Sequence, residues 1–124
     1  MSNNGELVRN ALTALFVNRD TSAVERYWSE SYLQHNPEMP DARDHLAGIV
    51  AALGDDFRYE PGLVVAEGDY VTIHGRYTGW AEKPLLAVDI FRIEDGKIAE
   101  HWDVLQEEVP AEATKSGRSM FTGD

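Results

Sequence analysis

Apolar residues recur at steps of three and four between Glu6 and Val17, at Val8, Ala11, Leu12, Leu15 and Phe16, and this spacing predicts a helix with one buried face. Asn3 or Asn4 can cap it. In "RDTSAVERYW", Asp20, Thr21 or Ser22 offers a second N-cap, with Val24, Tyr27 and Trp28 on the apolar side of a short helix that would pair with the first. The stretch "YLQHNPEMP" holds two prolines in nine residues, which predicts a rigid loop. Asp41, with Asp44 as a capping-box-like partner, opens a third helix whose apolar side is Leu46, Ile49, Val50 and Leu53 and which Gly54 closes.

Beyond Gly54 the hydrophobic period falls from about four to two. Strands are expected at Phe57–Tyr59, Leu63–Ala66, Tyr70–Trp80, Leu85–Ile93 and Lys97–Gln106, punctuated by Pro61-Gly62 and by Glu67-Gly68-Asp69. Helices first and strands afterwards predict an α+β fold, with three N-terminal helices packed on a strongly curved antiparallel sheet. Such a sheet wraps into a cone with a hollow interior. At 124 residues the chain is expected to be a single domain over 1–124.

The last two strands carry the puzzle. "AVDIFRIEDGKIAEHWDVLQ" sets Asp89, His101 and Asp103 among large apolar residues, and burying ionisable groups costs free energy unless each has a partner. The turn decides where they point, because a slip of one residue inverts every side chain. A two-residue Asp95-Gly96 turn would set Asp89 opposite Trp102 and split the aspartates between faces. A three-residue turn with Gly96 as a bulge sets Asp89 opposite His101 and Ala87 opposite Asp103. The second is favoured, since it gathers Ala87, Asp89, Phe91, His101 and Asp103 on one face and leaves Leu86, Val88, Ile90, Ile98, Trp102 and Val104 on the other. Two apolar faces then call for a pocket on one side and a twofold homodimer through the other.

Charge narrows the partners. Eleven Lys and Arg against 22 Asp and Glu give a net charge of -11, which repels nucleic acid and anionic membrane surfaces. With no cysteine, disulfides and thiolate chemistry are excluded. The start lacks a signal-peptide pattern and no window is apolar enough to span a bilayer, so a cytoplasmic location is expected.

For chemistry, Asp103 is the candidate general base, and Asp89 either shares that work or holds His101 in one tautomer. Tyr32, His35 and Asn36 lie in or next to the proline-stiffened loop and are candidate substrate contacts, Tyr32 and Asn36 as hydrogen-bond donors. Phe16, Trp28, Phe57 and Phe91 are core residues expected to line the pocket as well. His101 and Asp103, with His35 as a third ligand, would be needed for a metal, but no second paired-ligand spacing occurs; neither metal nor cofactor is expected.

At these residues the chain resembles a family. "DIFRIEDGKIAEHWDVLQ", with "YLQHNP" and the late "GRSMF", is similar to the SnoaL-like, polyketide cyclase-like branch of the NTF2-like superfamily. The resemblance implies the cone fold and, in the cyclases, an Asp on the last long strand acting as acid/base in an aldol closure; Asp103 matches it. Asn36 matches a pocket Asn loosely, while Asp89 stands where those enzymes have His and Ala87 where they have Gln. In the related limonene epoxide hydrolase an Asp-Arg-Asp set does the work, and Ala87 occupies the Arg position. Together these imply a cofactor-independent lyase, isomerase or cyclase acting on a small hydrophobic carbonyl compound. The competing expectation is a non-catalytic ligand-binding or dimerisation module of the same fold.

Overall fold

The computed structural model describes residues 3–124. Three helices, α1 (Asn4–Leu12), α2 (Ala23–Tyr27) and α3 (Arg43–Ala52), accompany a five-stranded sheet of β1 (Trp28–Gln34), β2 (Arg58–Glu67), β3 (Tyr70–Thr78), β4 (Leu85–Glu94) and β5 (Lys97–Glu107). The expected α+β class holds, with the helices over one face of a curved sheet. Asn3 caps α1 by accepting from the Glu6 amide, and the helix runs on through a π turn, Thr13–Val17, which carries Leu15 and Phe16 into the core. No cap was needed from Asp41: α3 starts at Arg43 without a side-chain cap, and Asp41 accepts instead from the Gln34 backbone N–H at 2.7 Å.

The sheet order is β1-β5-β4-β3-β2. Its last four strands are antiparallel as expected, and β1 joins parallel to β5 at the edge, making the sheet mixed. The segment read as helix end and loop therefore contains a strand. Its prolines follow Gln34 rather than interrupt it, and Trp28 and Tyr32 point into the core while Glu30, Ser31 and Leu33 do not. The two short runs around Pro61-Gly62 are one strand, β2, with a register shift between Pro61 and Val64. Shifts of this kind bend a sheet.

The β4–β5 turn differs from the expectation. Asp95 and Gly96 both take positive φ, +52° and +74°, in a two-residue turn that pairs Glu94 with Lys97. The extra residue comes two steps later: Ile93 pairs with Ile98 and Arg92 with Glu100, leaving Ala99 as a bulge. Asp89 consequently faces Asp103, Phe91 faces His101 and Ala87 faces Leu105. The tight turn alone would have parted the aspartates; the bulge brings them back to one face. It also turns Ile98 inward to 0% exposure, against the expectation that it faces outward.

Helices and inner sheet face close on a core of Val8, Leu12, Leu15, Trp28, Val50, Val71, Ile73 and Ile98. The C-terminal segment returns across the outer face of β2 and β3, burying Phe121 beneath the Arg76 guanidinium, 4.5 Å from its ring. Arg76 pairs there with Glu60, Glu108 and Asp124.

Candidate active site

Between α3, β1 and the inner faces of β3 to β5 lies a cavity of about 470 Å³. Leu12 and Phe16 close one side, Leu46 and Ile49 of α3 with Leu53 just after it another, and Tyr77, Trp80, Phe91 and Leu105 the rest. One wall is polar: Tyr32 and Gln34 of β1, and Asn36 two residues beyond its end, stand opposite Asp89, His101 and Asp103. Asn36, Asp89 and His101 are only 4–7% exposed, so their mutual bonds are made out of water.

Those bonds form one chain. Tyr77 donates to Asp89 Oδ2 at 2.9 Å, and Asp89 Oδ1 lies 2.8 Å from His101 Nε2. His101 Nδ1 lies 2.7 Å from Gln34 Oε1. That oxygen also accepts from the Asn36 backbone amide at 3.0 Å, while the Gln34 amide nitrogen donates to the Tyr32 hydroxyl at 2.9 Å. Because a backbone N–H can only donate, the Gln34 amide orientation is set, and both ring nitrogens of His101 meet acceptors. The ring and Asp89 together therefore hold a proton on each side of the imidazole, as an ion pair or its proton-shifted equivalent.

Asp103 is different. One oxygen accepts from Asn36 Nδ2 at 2.8 Å, with His101 Nε2 at 3.9 Å; among the described residues no hydrogen bond reaches the other oxygen. Asn36 is itself anchored, its own oxygen accepting from the Glu38 amide at 2.8 Å. Burial first, and the Asp89 charge second, push the Tyr77 phenol well above its ordinary range, so it stays a proton donor. The same two causes, with Asp103 adding to them, raise Tyr32. Since its oxygen already accepts from Gln34, the Tyr32 proton is free for a ligand.

Most of the expected residues meet here: Asp89, His101, Asp103, Tyr32, Asn36, Phe16, Trp28 and Phe91 all line the cavity. Two do not. His35 points to the outer face, stacked on Trp102 at 4.7 Å and bonded to Glu100 at 2.7 Å, because neighbours on a strand end alternate. Phe57 sits behind the wall, against Phe16, Tyr77 and Trp80. Gln34 and Tyr77 were missed. Gln34 shares the two-residue period of Tyr32 and Asn36, which was the available signal; Tyr77 pairs with Leu85, four residues before Asp89, and nothing local marks it.

Oxygen and nitrogen atoms of Asp89, His101 and Asp103 lie within 4.8 Å of one another, close enough to surround a cation. Their hydrogen bonds compete with that use, since both Asp89 oxygens and both His101 nitrogens are already engaged, and His35 is on the far face.

The SnoaL-like domain family matches residues 8–101 of the chain. Among solved structures, an NTF2-like protein from Cytophaga hutchinsonii superposes with a TM-score of 0.71 at 16% identity, over 86% of this chain and 92% of that one. TsrD from Streptomyces laurentii gives 0.70 at 19%, over 83% and 88%. An LEH-like epoxide hydrolase from M. tuberculosis gives 0.64 at 15%, over 83% and 82%. At these identities the likeness establishes the fold. No curated protein matches the chain in sequence.

Proposed function

From the premise that this chain belongs to the family of SnoaL-like domains, we propose that it is a cofactor-independent enzyme of the isomerase, lyase or cyclase kind. Asp103 is its general base and a small hydrophobic carbonyl compound its substrate. The observation that carries the reading is the contrast between the two aspartates: Asp89 has both oxygens bonded, whereas Asp103 keeps one open to the cavity. A base must reach the proton it takes. The C–H beside the carbonyl gives its proton to the open oxygen of Asp103, and the electron pair moves to the carbonyl oxygen, where Tyr32 O–H donates a hydrogen bond to the developing enolate. His101, fixed by Asp89 and Gln34, stands 3.9 Å from Asp103 and holds that wall in place.

The test is deuterium uptake from D2O into hydrophobic ketones such as acetonaphthone. The protein should accelerate exchange, and Asp103→Asn should keep its fold and lose about 10²–10⁴ of that acceleration. Equal exchange by the folded variant would remove Asp103 from the chemistry. If ketones bind and no exchange occurs, the protein is a ligand-binding module.

A second reading has one observation in its favour: the His101 ring stands between two carboxylates, 2.8 Å from Asp89 and 3.9 Å from Asp103. In that arrangement Asp103 and Asn36 would hold a water for attack on an epoxide. Hydrolysis of a hydrophobic epoxide with no ketone exchange would select it. We also infer a homodimer through the outer face of the sheet, where Val65, Tyr70, Val88 and Val104 are 54%, 48%, 38% and 65% exposed. Light scattering should give a dimer mass, and Val104→Asp should shift it to the monomer. A monomeric wild type at high concentration refutes the pairing. No described helix is long and apolar enough to cross a membrane.

A further inference from the structure

Beyond its shape, the cavity is one-sided in charge. Among the described residues its lining contains no Lys or Arg, whereas Asp89, Asp103 and, at an exposed position, Glu38 bring three carboxylates. Among the described residues the one basic group on the wall is His101, and its two ring nitrogens are committed to Gln34 and Asp89. The Asp103 side chain is only 11% exposed, and the Asn36 amide is the group that hydrogen-bonds it.

We infer that the pocket selects its ligand by charge, taking uncharged or cationic hydrophobic compounds and rejecting those that carry a carboxylate or phosphate. This rests on the cavity being a substrate pocket but does not require Asp103 to move a proton. An anion placed here must shed water without finding a cationic partner. It also sits against Asp103, and two like charges about 5 Å apart at an effective dielectric of about 20 weaken binding by about a hundredfold or more. A cation meets the opposite conditions: a carboxylate with an open oxygen, and the aromatic rings of Phe16, Trp28, Tyr77 and Trp80 around it.

Three probes with one bicyclic body test this: acetonaphthone, naphthylmethylammonium and naphthoate, followed by quenching of the tryptophan fluorescence. Working in molar salt screens the field of the whole chain to about 3 Å and leaves the local effect. The ketone and the ammonium should bind with similar affinity, and naphthoate about a hundredfold more weakly. Asp103→Asn should close that gap to within about tenfold. Leu105→Arg, a change at a half-exposed lining position that leaves the buried network alone, should close it independently. Naphthoate binding within about threefold of the ketone in the wild type overturns the inference, as does a gap that neither folded variant changes. If the charge ranking holds while deuterium exchange is absent, the catalytic reading fails and this one stands. If exchange occurs and naphthoate binds as well as the ketone, the reverse is true. Binding of none of the three overturns both.

Discussion

The two faces of the β4–β5 hairpin carry the same kinds of side chain to different ends. Inside, His101 and Asp89 pair with side chains 9% and 5% exposed. Outside, three residues along β4 and one along β5, Arg92 and Glu100 pair at the same 2.8 Å with side chains 24% and 16% exposed, and His35 adds a second bond to Glu100. Distance does not separate them. Solvent does: water screens the outer pair and offers each partner a substitute, whereas the inner groups have only one another and Tyr77, Gln34 and Asn36. Buried charges of this kind hold a geometry, while the outer set decorates a surface.

Disturbing what assigns residues to faces should have the largest effect. Inserting one alanine between His101 and Trp102 adds an odd residue beyond the bulge, turning Trp102 and Val104 inward and Asp103 outward. Urea unfolding should show a loss above about 4 kcal/mol, or no folded protein at all. A variant of near wild-type stability would show that the register of β4 and β5 is not what aligns the site.

Next in size is the inner pair. His101→Leu leaves Asp89 buried without its His101 partner and should cost about 3–5 kcal/mol, whereas Asp89→Leu combined with His101→Leu should recover most of that loss. A double variant no better than the single would mean that Asp89 is served by Tyr77 alone.

The tyrosines give a pH signature. Tyr32, Tyr59 and Tyr77 are all raised, in each case first by burial and then by the Asp89 charge. Above the ordinary tyrosine range the unfolded chain releases these protons while the folded chain keeps them. Stability should therefore be level below about pH 10 and fall as pH rises further, by up to about 1.4 kcal/mol per pH unit for each tyrosine. Tyr77→Phe should make that decline shallower. An unchanged slope would place Tyr77 in water in the folded state.

The smallest effect belongs outside. Glu100 is held below its usual range, first by the Arg92 hydrogen bond and then by His35, so its contribution is present above the ordinary Glu range and fades as pH falls through its lowered value. Glu100→Gln should change stability far less than His101→Leu, and less again in molar salt. A loss of comparable size would erase the distinction between the faces.

How much of this the sequence revealed follows the range of the interactions. Helices α1 and α3 and the alternation of β3 to β5 are local patterns and were legible. Strand β1 was not, because it is an edge strand of mostly polar residues paired parallel to a segment some 70 positions away, as in Trp28 with Ile98. The facing of Asp89, His101 and Asp103 was inferred correctly for a different reason from the one that operates. A glycine in the turn was expected to absorb the odd residue, whereas Ala99, with nothing in its chemistry to mark a bulge, absorbs it. His35 was misplaced because its neighbours Gln34 and Asn36 could not be seen as a strand end.

The inner face divides its two carboxylates: Asp89 has both oxygens hydrogen-bonded within the network, and Asp103 keeps one oxygen open to the cavity. Deuterium exchange into acetonaphthone, compared between folded Asp89→Asn and Asp103→Asn proteins, tests that division most directly. Asp103→Asn should lose about 10²–10⁴ of the acceleration while Asp89→Asn keeps most of it in a less stable protein. The reverse order, with Asp89→Asn inactive and Asp103→Asn active, would contradict it.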